Sequence, residues 1–471
     1  MSEGMKRRQF LRALGAGAAT LAMPGRLRAD GQSDRPNILV MLCDDMGWGQ
    51  PGYQGGTRVP TPNLDRLAED GVRLTQFYAQ SVCSPTRACL LTGRYPFRNG
   101  MEERTHANDV AGMLLDERTL AEALKEAGYF TAITGKWHLG EWKKAHLPMQ
   151  RGFDHQYGHY SALIDSFRHT REAVLDWHRN EQPLNEEGYS TYLIADEVES
   201  LLRQHNNSNP FFMYVPFNAV HGPHQAPREV LRKYKGRGRR QAAQLDCMDV
   251  AIGRILDALD ENGYAENTLV IFFNDNGGPP LVGNAPYRGT KGEFYEGGVR
   301  VTCVMKWPGE ISPGSKVDEP LHVVDLYPTL INLAGASLKQ ELPVDGLDAW
   351  PTVSRGRPSP RSEIVYNVPG APRSSVPAIR QGNVKLVGEE LYDVAKDPGE
   401  ENDLADRYPD KVRKLQKRLD ELAEQRRPPE EHRPIPGYPP AVYGKEENEP
   451  PLPDWLVKLA EENRRRAKKG R

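Results

Sequence analysis

Cys83 lies in the run Ser81-Val82-Cys83-Ser84-Pro85-Thr86-Arg87, which continues to Leu91-Thr92-Gly93-Arg94. Ser84 followed by Pro85 reads as an N-cap and first helical position, since proline's missing N–H falls where a helix has no internal partner for it. Cys83 then sits just ahead of a helix N-terminus, where free N–H groups and the dipole favour negative charge. Two readings stand at this point: an anion site containing a sulfur atom, or a half-buried cysteine beside a proline turn. Other chemistry-bearing residues recur in short clusters. Asp44-Asp45, Lys136 with His138, His221 with His224, Asp275-Asn276 and Lys291 each sit beside a turn or glycine-rich stretch. Adjacent Asp and Asn oxygens suit a hard cation such as calcium, which takes oxygen ligands. Lys136 and His138 are two apart, so an extended chain sets them on one face, where both can meet one anion. Singly, each cluster also reads as solvated surface. The His221/His224 spacing alone permits metal ligation, but no third ligand stands nearby.

The elements that must position these residues alternate. Apolar runs over 37–42, 130–133, 211–215 and 269–273 read as strands buried on both faces of a parallel sheet. A further strand is expected over 299–306. Helical patterns over 63–70, 84–91, 120–127, 189–204, 239–261 and 321–334 fall between or after them. The clusters lie where the strands end, and ligand sites of open α/β sheets gather at the carboxyl ends of strands. Residues 151–188 read as an irregular insertion. Residues 343–360 read as a linker, followed by short β-like pieces at 364–368, 378–380, 383–387 and 390–394. An amphipathic helix then carries Val412, Leu415, Leu419 and Leu422. The chain is proline-rich from 427 to 453 and ends in a short helix around Trp455 and a basic tail, 464–471.

With 471 residues the chain can bury a large core and form more than one domain. A mean hydropathy of −0.66 and 38 prolines point to long loops rather than to a membrane fold. Lys6-Arg7-Arg8-Gln9-Phe10-Leu11-Arg12, followed by the apolar run 13–23, resembles a twin-arginine export signal. The run is too short to span a bilayer, so no stable membrane insertion is expected after its removal, and a periplasmic or secreted location is expected. Removing residues 1–29 takes away six basic residues and one acid, so a net charge of −2 becomes −7. Nucleic acid is therefore an unsuitable partner. The five cysteines, Cys43, Cys83, Cys89, Cys247 and Cys303, have no zinc-type or paired spacing.

Taken together, these residues resemble the formylglycine-dependent sulfatases of the alkaline phosphatase superfamily, over roughly 36–406. Cys83-Ser84-Pro85-Thr86-Arg87 with Leu91-Thr92-Gly93-Arg94 matches the family's modification signature, and 128–138 matches its second signature. Asp44-Asp45-Met46-Gly47, His221, Asp275-Asn276-Gly277-Gly278, Lys291, Gly297-Gly298-Val299-Arg300 and Leu391-Tyr392-Asp393 with Asp397-Pro398 fall in family order. The resemblance implies a large mixed, mostly parallel sheet flanked by helices, with a small C-terminal antiparallel sheet packed with a helix. It implies that a formylglycine-generating enzyme oxidises Cys83 to formylglycine, whose hydrate supplies the nucleophile. It also implies a Ca²⁺ held by Asp44, Asp45, Asp275 and Asn276 and bound by the modified Cys83. Lys136 and Lys291 would grip sulfate oxygens, Arg87 would hold the nucleophile, His221 would protonate the leaving alcohol, and His138 would take the proton that lets a sulfated enzyme collapse. Thr86 stands where many members have Ser, and Gln50-Pro51 interrupts the usual sequence after Gly49.

The expected function is hydrolysis of an aryl or carbohydrate O-sulfate, with a sulfated small molecule or saccharide as partner. A phosphonate monoester or phosphodiester hydrolase using the same formylglycine, and a non-catalytic calcium-binding protein, are the alternatives. The expected organisation is an export signal at 1–29, a catalytic domain at 30–352, a small α+β subdomain at 353–426 and an extension at 427–471.

Overall fold

The structure, a computed structural model, describes residues 35–106, 109–171, 173–206, 208–280, 282–371, 376–432 and 453–469. The export signal and most of the proline-rich stretch lie outside the described residues. The central strand is β1 (Asn37–Cys43), every residue of which is buried. A strand so apolar needs cover on both faces, and two large clusters of packed side chains supply it. Ile38, Val40 and Leu42 face one cluster, while Leu39 and Met41 face the other.

The remaining strands of the large sheet are β2 (Val72–Tyr78), β3 (Phe130–Lys136), β4 (His155–His159), β5 (Phe211–Pro216), β6 (Thr268–Asn274), β7 (Arg300–Lys306) and β8 (Ser315–Val317). They order as β8-β2-β7-β6-β1-β5-β3-β4, and a short hairpin, His178–Arg179 with Gln182–Pro183, continues past β4. β6, β1, β5, β3 and β4 run parallel. β7 is antiparallel to both β6 and β2, so β2 points the same way as β6. The ends of β1, β2, β3, β5 and β6 therefore deliver their following loops to one edge. This is the mixed, mostly parallel sheet flanked by helices that the sequence leads one to expect.

A second, antiparallel sheet of β9 (Glu363–Asn367), β10 (Ala378–Gln381), β11 (Val384–Val387) and β12 (Glu390–Asp393) follows. The helix Pro409–Ala423 contributes Leu415, Leu419 and Leu422 to the core, as its amphipathic pattern requires. Lys385 joins this sheet to the large one: its buried Nζ lies 2.9 Å from both Glu296 and Glu400.

Four local expectations are corrected. The helix read over 321–334 begins only at Leu326, because Leu321–His322 pairs with Phe77–Tyr78 of β2 as a strand. His322 and Asp325 then cap a short 3₁₀ turn. The linker read over 343–360 contains the helix Trp350–Arg355, whose Thr352 and Val353 are buried. The insertion 151–188 holds β4 and the hairpin, extending the sheet. The last helix is long, Asp454–Lys469, and takes in the start of the basic tail, while its Leu456 buries against the second cluster. No helix among the described residues is long and apolar enough to cross a membrane.

Candidate active site

The helix carrying Cys83 runs from Cys83 to Thr92 with every residue buried, and its N-cap is Val82. The cap therefore falls two residues before the expected Ser84: Cys83 is in the first turn, and Pro85 still falls among the positions whose N–H has no intrahelical partner. The Ser84 hydroxyl instead accepts from the Thr105 N–H at 3.2 Å. Thr86 Oγ1 accepts from the Gln80 N–H at 2.9 Å and donates to the Asp275 carbonyl at 2.5 Å. That bond fixes the helix start to the end of β6.

Asp44 and Asp45 follow β1. The Asp44 N–H donates to the Ala219 carbonyl at 3.0 Å, and the Asp275 N–H to the Cys43 carbonyl at 3.1 Å, so the ends of β1, β5 and β6 are tied together. Asp45 turns through φ 66° and His138, beyond the end of β3, through φ 59°. Such left-handed conformations are uncommon for non-glycine residues and are concentrated at functional sites. They turn both side chains out of strand alternation. Gly277 is required: a Cβ there would lie 1.8 Å from the Gly297 carbonyl oxygen.

Three carboxylates meet three cations at this edge. Lys136 Nζ donates to Asp44 Oδ2 at 2.6 Å, and Lys291 Nζ to Asp45 Oδ1 at 2.6 Å. Arg87 lies 2.9 Å from Asp275 and 3.7 Å from Asp44, and it also donates to the Lys136 carbonyl at 2.9 Å. His221 Nε2 is 3.6 Å from Asp45 Oδ2. Asn276 Nδ2 donates to Asp45 Oδ1 at 2.8 Å. Ligand atoms of Asp44, Cys83 and Asp275 lie within 4.8 Å of one another, as do those of Asp44, Asp45 and His221.

The electrostatics follow from burial set against these neighbours. Burial pushes the Asp44 carboxyl up, but Lys136, His221 and Arg87 together hold it well below the ordinary range. Burial and then Asp44 push Asp275 the other way. Burial pushes the Cys83 thiol up, and Lys136 and Lys291 only partly oppose it. An unmodified Cys83 is therefore a protonated thiol rather than a nucleophilic thiolate. Burial, then Lys136 and Arg87, keep His138 neutral. Its Nε2 lies 3.2 Å from the Thr105 carbonyl, which can only accept, so Nε2 carries the hydrogen and Nδ1 is left as a buried acceptor without a partner.

The site thus brings together Asp44, Asp45, Cys83, Arg87, Lys136, His138, His221, Asp275, Asn276 and Lys291. His224 is excluded, its Nδ1 pairing with Gln244 at 2.8 Å. Sequence reasoning overlooked Thr105, whose backbone holds both His138 and Ser84 and whose residue type carries no signal of that role. It also put His159 in a loop, whereas His159 is buried on β4 in register with Lys136. Gln50, the departure noted after Gly49, accepts from the Gly47 N–H at 2.8 Å and closes the loop bearing Trp48. Trp48 in turn meets Tyr287 edge-on at 5.0 Å, close in sequence to Lys291.

The chain as a whole is similar to known proteins. The family described as Sulfatase matches residues 36–336, and N-sulphoglucosamine sulphohydrolase, C-terminal, matches residues 290–425. Mouse arylsulfatase J is 32% identical over 88% of this chain and 81% of its own length. Human N-acetylgalactosamine-6-sulfatase is 36% identical over 72% of this chain and 69% of its own. The crystal structure of Ps i-CgsB in complex with k-i-k-neocarrahexaose superposes with a TM-score of 0.78 at 25% identity, covering 92% of this chain and 99% of that one. The chain belongs to the sulfatase family, enzymes that hydrolyse sulfate esters.

Proposed function

We propose that this enzyme removes a sulfate group from a carbohydrate O-sulfate, using Cys83 converted to formylglycine and a Ca²⁺ held by Asp44, Asp45, Asp275 and Asn276. The observation that carries the proposal is the convergence of these residues with Lys136, His138, His221 and Lys291 on one sheet edge. The donor set fits the ion. Asp44 Oδ1 and Asn276 Oδ1 are buried oxygens with no hydrogen-bond partner, and leaving such atoms unpaired costs about 1–3 kcal/mol each. Asn276 spends its amide N–H groups on Asp45 and Gly277, which leaves its carbonyl oxygen for a cation. When bound, Ca²⁺ and the aldehyde hydrate would supply Lewis acidity and a hydroxyl nucleophile.

The chain's own residues would do the rest. Lys136 and Lys291 supply positive charge where a sulfate's oxygens gather charge, in a dry setting that strengthens each interaction. Arg87 is wholly buried and pinned on Asp275 and the Lys136 carbonyl, so it holds the helix start and the metal carboxylates in register. His221, less buried than His138, keeps its Nδ1–H on the Gly222 carbonyl at 2.6 Å and its Nε2 3.6 Å from Asp45 Oδ2. As the doubly protonated ring, it would give the Nε2 proton to the departing alcohol. His138 Nδ1, a bare buried acceptor, would take a proton from the Cys83-derived hydroxyl.

A carbohydrate substrate is supported by the names of relatives, one an N-acetylgalactosamine-6-sulfatase and one crystallised with a neocarrahexaose. Desulfation of a panel of sulfated saccharides, alongside an aryl sulfate and a phosphodiester, tests the reading. Faster turnover of the diester by kcat/KM would replace it with the phosphodiesterase alternative. Peptide mass spectrometry over 82–87 checks the modification: active protein carrying only unmodified cysteine would falsify it.

A further inference from the structure

The segment from Arg426 to His432 has no regular secondary structure, yet its side chains pair with residues far back in the sequence, between Glu102 and His146. Arg426 Nε donates to Glu102 Oε2 at 2.6 Å. Arg427 donates to Glu117 at 2.8 Å, to Asp116 at 2.6 Å and, through its backbone, to the Phe97 carbonyl at 2.8 Å. Glu117 also pairs with Arg94, just past the Cys83 helix, at 3.0 Å. Glu430 pairs with Lys143 at 2.8 Å and His146 at 3.1 Å, and His432 with Asp109 at 2.7 Å. Pro429, Glu430 and His432 share a small cavity with residues from Gly100 to Thr105.

Arg426 reaches the run Met101–His106 directly through Glu102, and Arg427 and His432 hold the chain on either side of it, at Phe97, Asp109 and Glu117. Thr105 holds the catalytic region twice, through its carbonyl on His138 Nε2 and its N–H on the Ser84 hydroxyl. Within that run the Glu102 side chain is only 1% exposed. A buried carboxylate without a counter-charge is costly, and the chain relaxes to let water reach it. Arg426 supplies that counter-charge from more than three hundred residues away in sequence.

We infer that the segment Arg426–His432 is a positioning strap for His138: by pairing buried Glu102 with Arg426 it fixes the run whose Thr105 backbone sets the imidazole's orientation and hydrogen. Arg426 and Glu102 touch no reacting atom and act through Thr105. The inference rests on the reading of His138 as the base.

The test uses the full-length, matured enzyme and the variants Arg426→Gln, Arg426→Lys, Glu102→Gln and the double variant Glu102→Gln/Arg426→Gln. Hydrogen exchange of the amides of residues 102–106 is measured together with kcat and KM on 4-nitrophenyl sulfate. Arg426→Gln is expected to raise exchange at Thr105 about tenfold and to lower kcat about tenfold with KM within about twofold. Arg426→Lys and the double variant should recover most of both, since Arg426→Lys restores the counter-charge and Glu102→Gln removes the charge itself. Unchanged exchange at 102–106 in Arg426→Gln overturns the inference. So does exchange that rises equally in β1, which would make the strap a general stabiliser. A wild-type enzyme that turns over no sulfate ester sinks the proposed function instead, and the exchange measurements then decide the strap alone.

Discussion

Cys83 and Lys136 make opposite demands on the same few cubic ångströms. The Cys83 side chain must be chemically replaceable, whereas Lys136 balances a carboxylate buried beside it. Cys83→Ala should therefore abolish turnover while leaving the melting temperature within a few degrees, since alanine suits a helix and the side chain lost is small. Equal loss of folding and activity would give Cys83 a structural role. Lys136→Ala is expected to do the reverse damage as well: it strands Asp44 in a site with no solvent, at about 3–5 kcal/mol. Denaturant unfolding of the metal-free protein measures this, and a cost below about 1 kcal/mol would mean that His221 and Arg87 suffice to balance Asp44. Most of these residues were legible as clusters at strand ends. What was not legible was their meeting, which depends on backbone conformation at Asp45 and His138 that no residue type announces.

At the scale of elements, the small sheet is held to the large one by charge as much as by apolar contact. Glu296 sits wholly buried among Lys385, Arg300 and the Tyr78 hydroxyl, and Arg380 reaches Tyr78 from the small sheet. Burial raises the Glu296 carboxyl, but Lys385, Arg300 and Arg380 outweigh it and draw it from 4.5 to about 2. A carboxyl lowered on folding stabilises above its unfolded value and loses that stabilisation as pH falls through the folded one. Stability should thus begin to fall below about pH 4.5, and Glu296→Gln should flatten that acid limb while lowering stability at neutral pH. An acid limb identical in Glu296→Gln would assign the loss to other carboxylates. The fully buried strands β1, β5 and β6 were evident from their apolar runs. β2 was not, because Arg73, Thr75 and Gln76 break its apolar run where one face is only half covered. The strand at Leu321–His322 was likewise masked by the helical pattern that follows it.

At the scale of the whole molecule, the proposed metal and the fold would be coupled through the edge where the strands end. With the proposed ligands on the loops after β1 and β6, an ion bound only by the native state would stabilise it by mass action. Chelation should lower the melting temperature by several degrees, and added Ca²⁺ should restore it. A melting curve unmoved by chelator and by millimolar Ca²⁺ would remove the ion from the proposal. The export signal expected at the N-terminus lies outside the described residues, so its test is N-terminal sequencing of exported protein. The central strand also sets a clock. β1 pairs with β5 and β6, and Cys43 meets Asn274 only at the far end of that ladder. At about 5–20 residues per second of synthesis, some 10–40 s pass between the emergence of Cys83 and that of the strand that completes its surroundings. In the finished protein Cys83 is 2% exposed. If Cys83 is converted as proposed, the enzyme that reaches its sulfur would have that interval in which to act, and translation speed across residues 84–274 would become a determinant of how much of the protein matures.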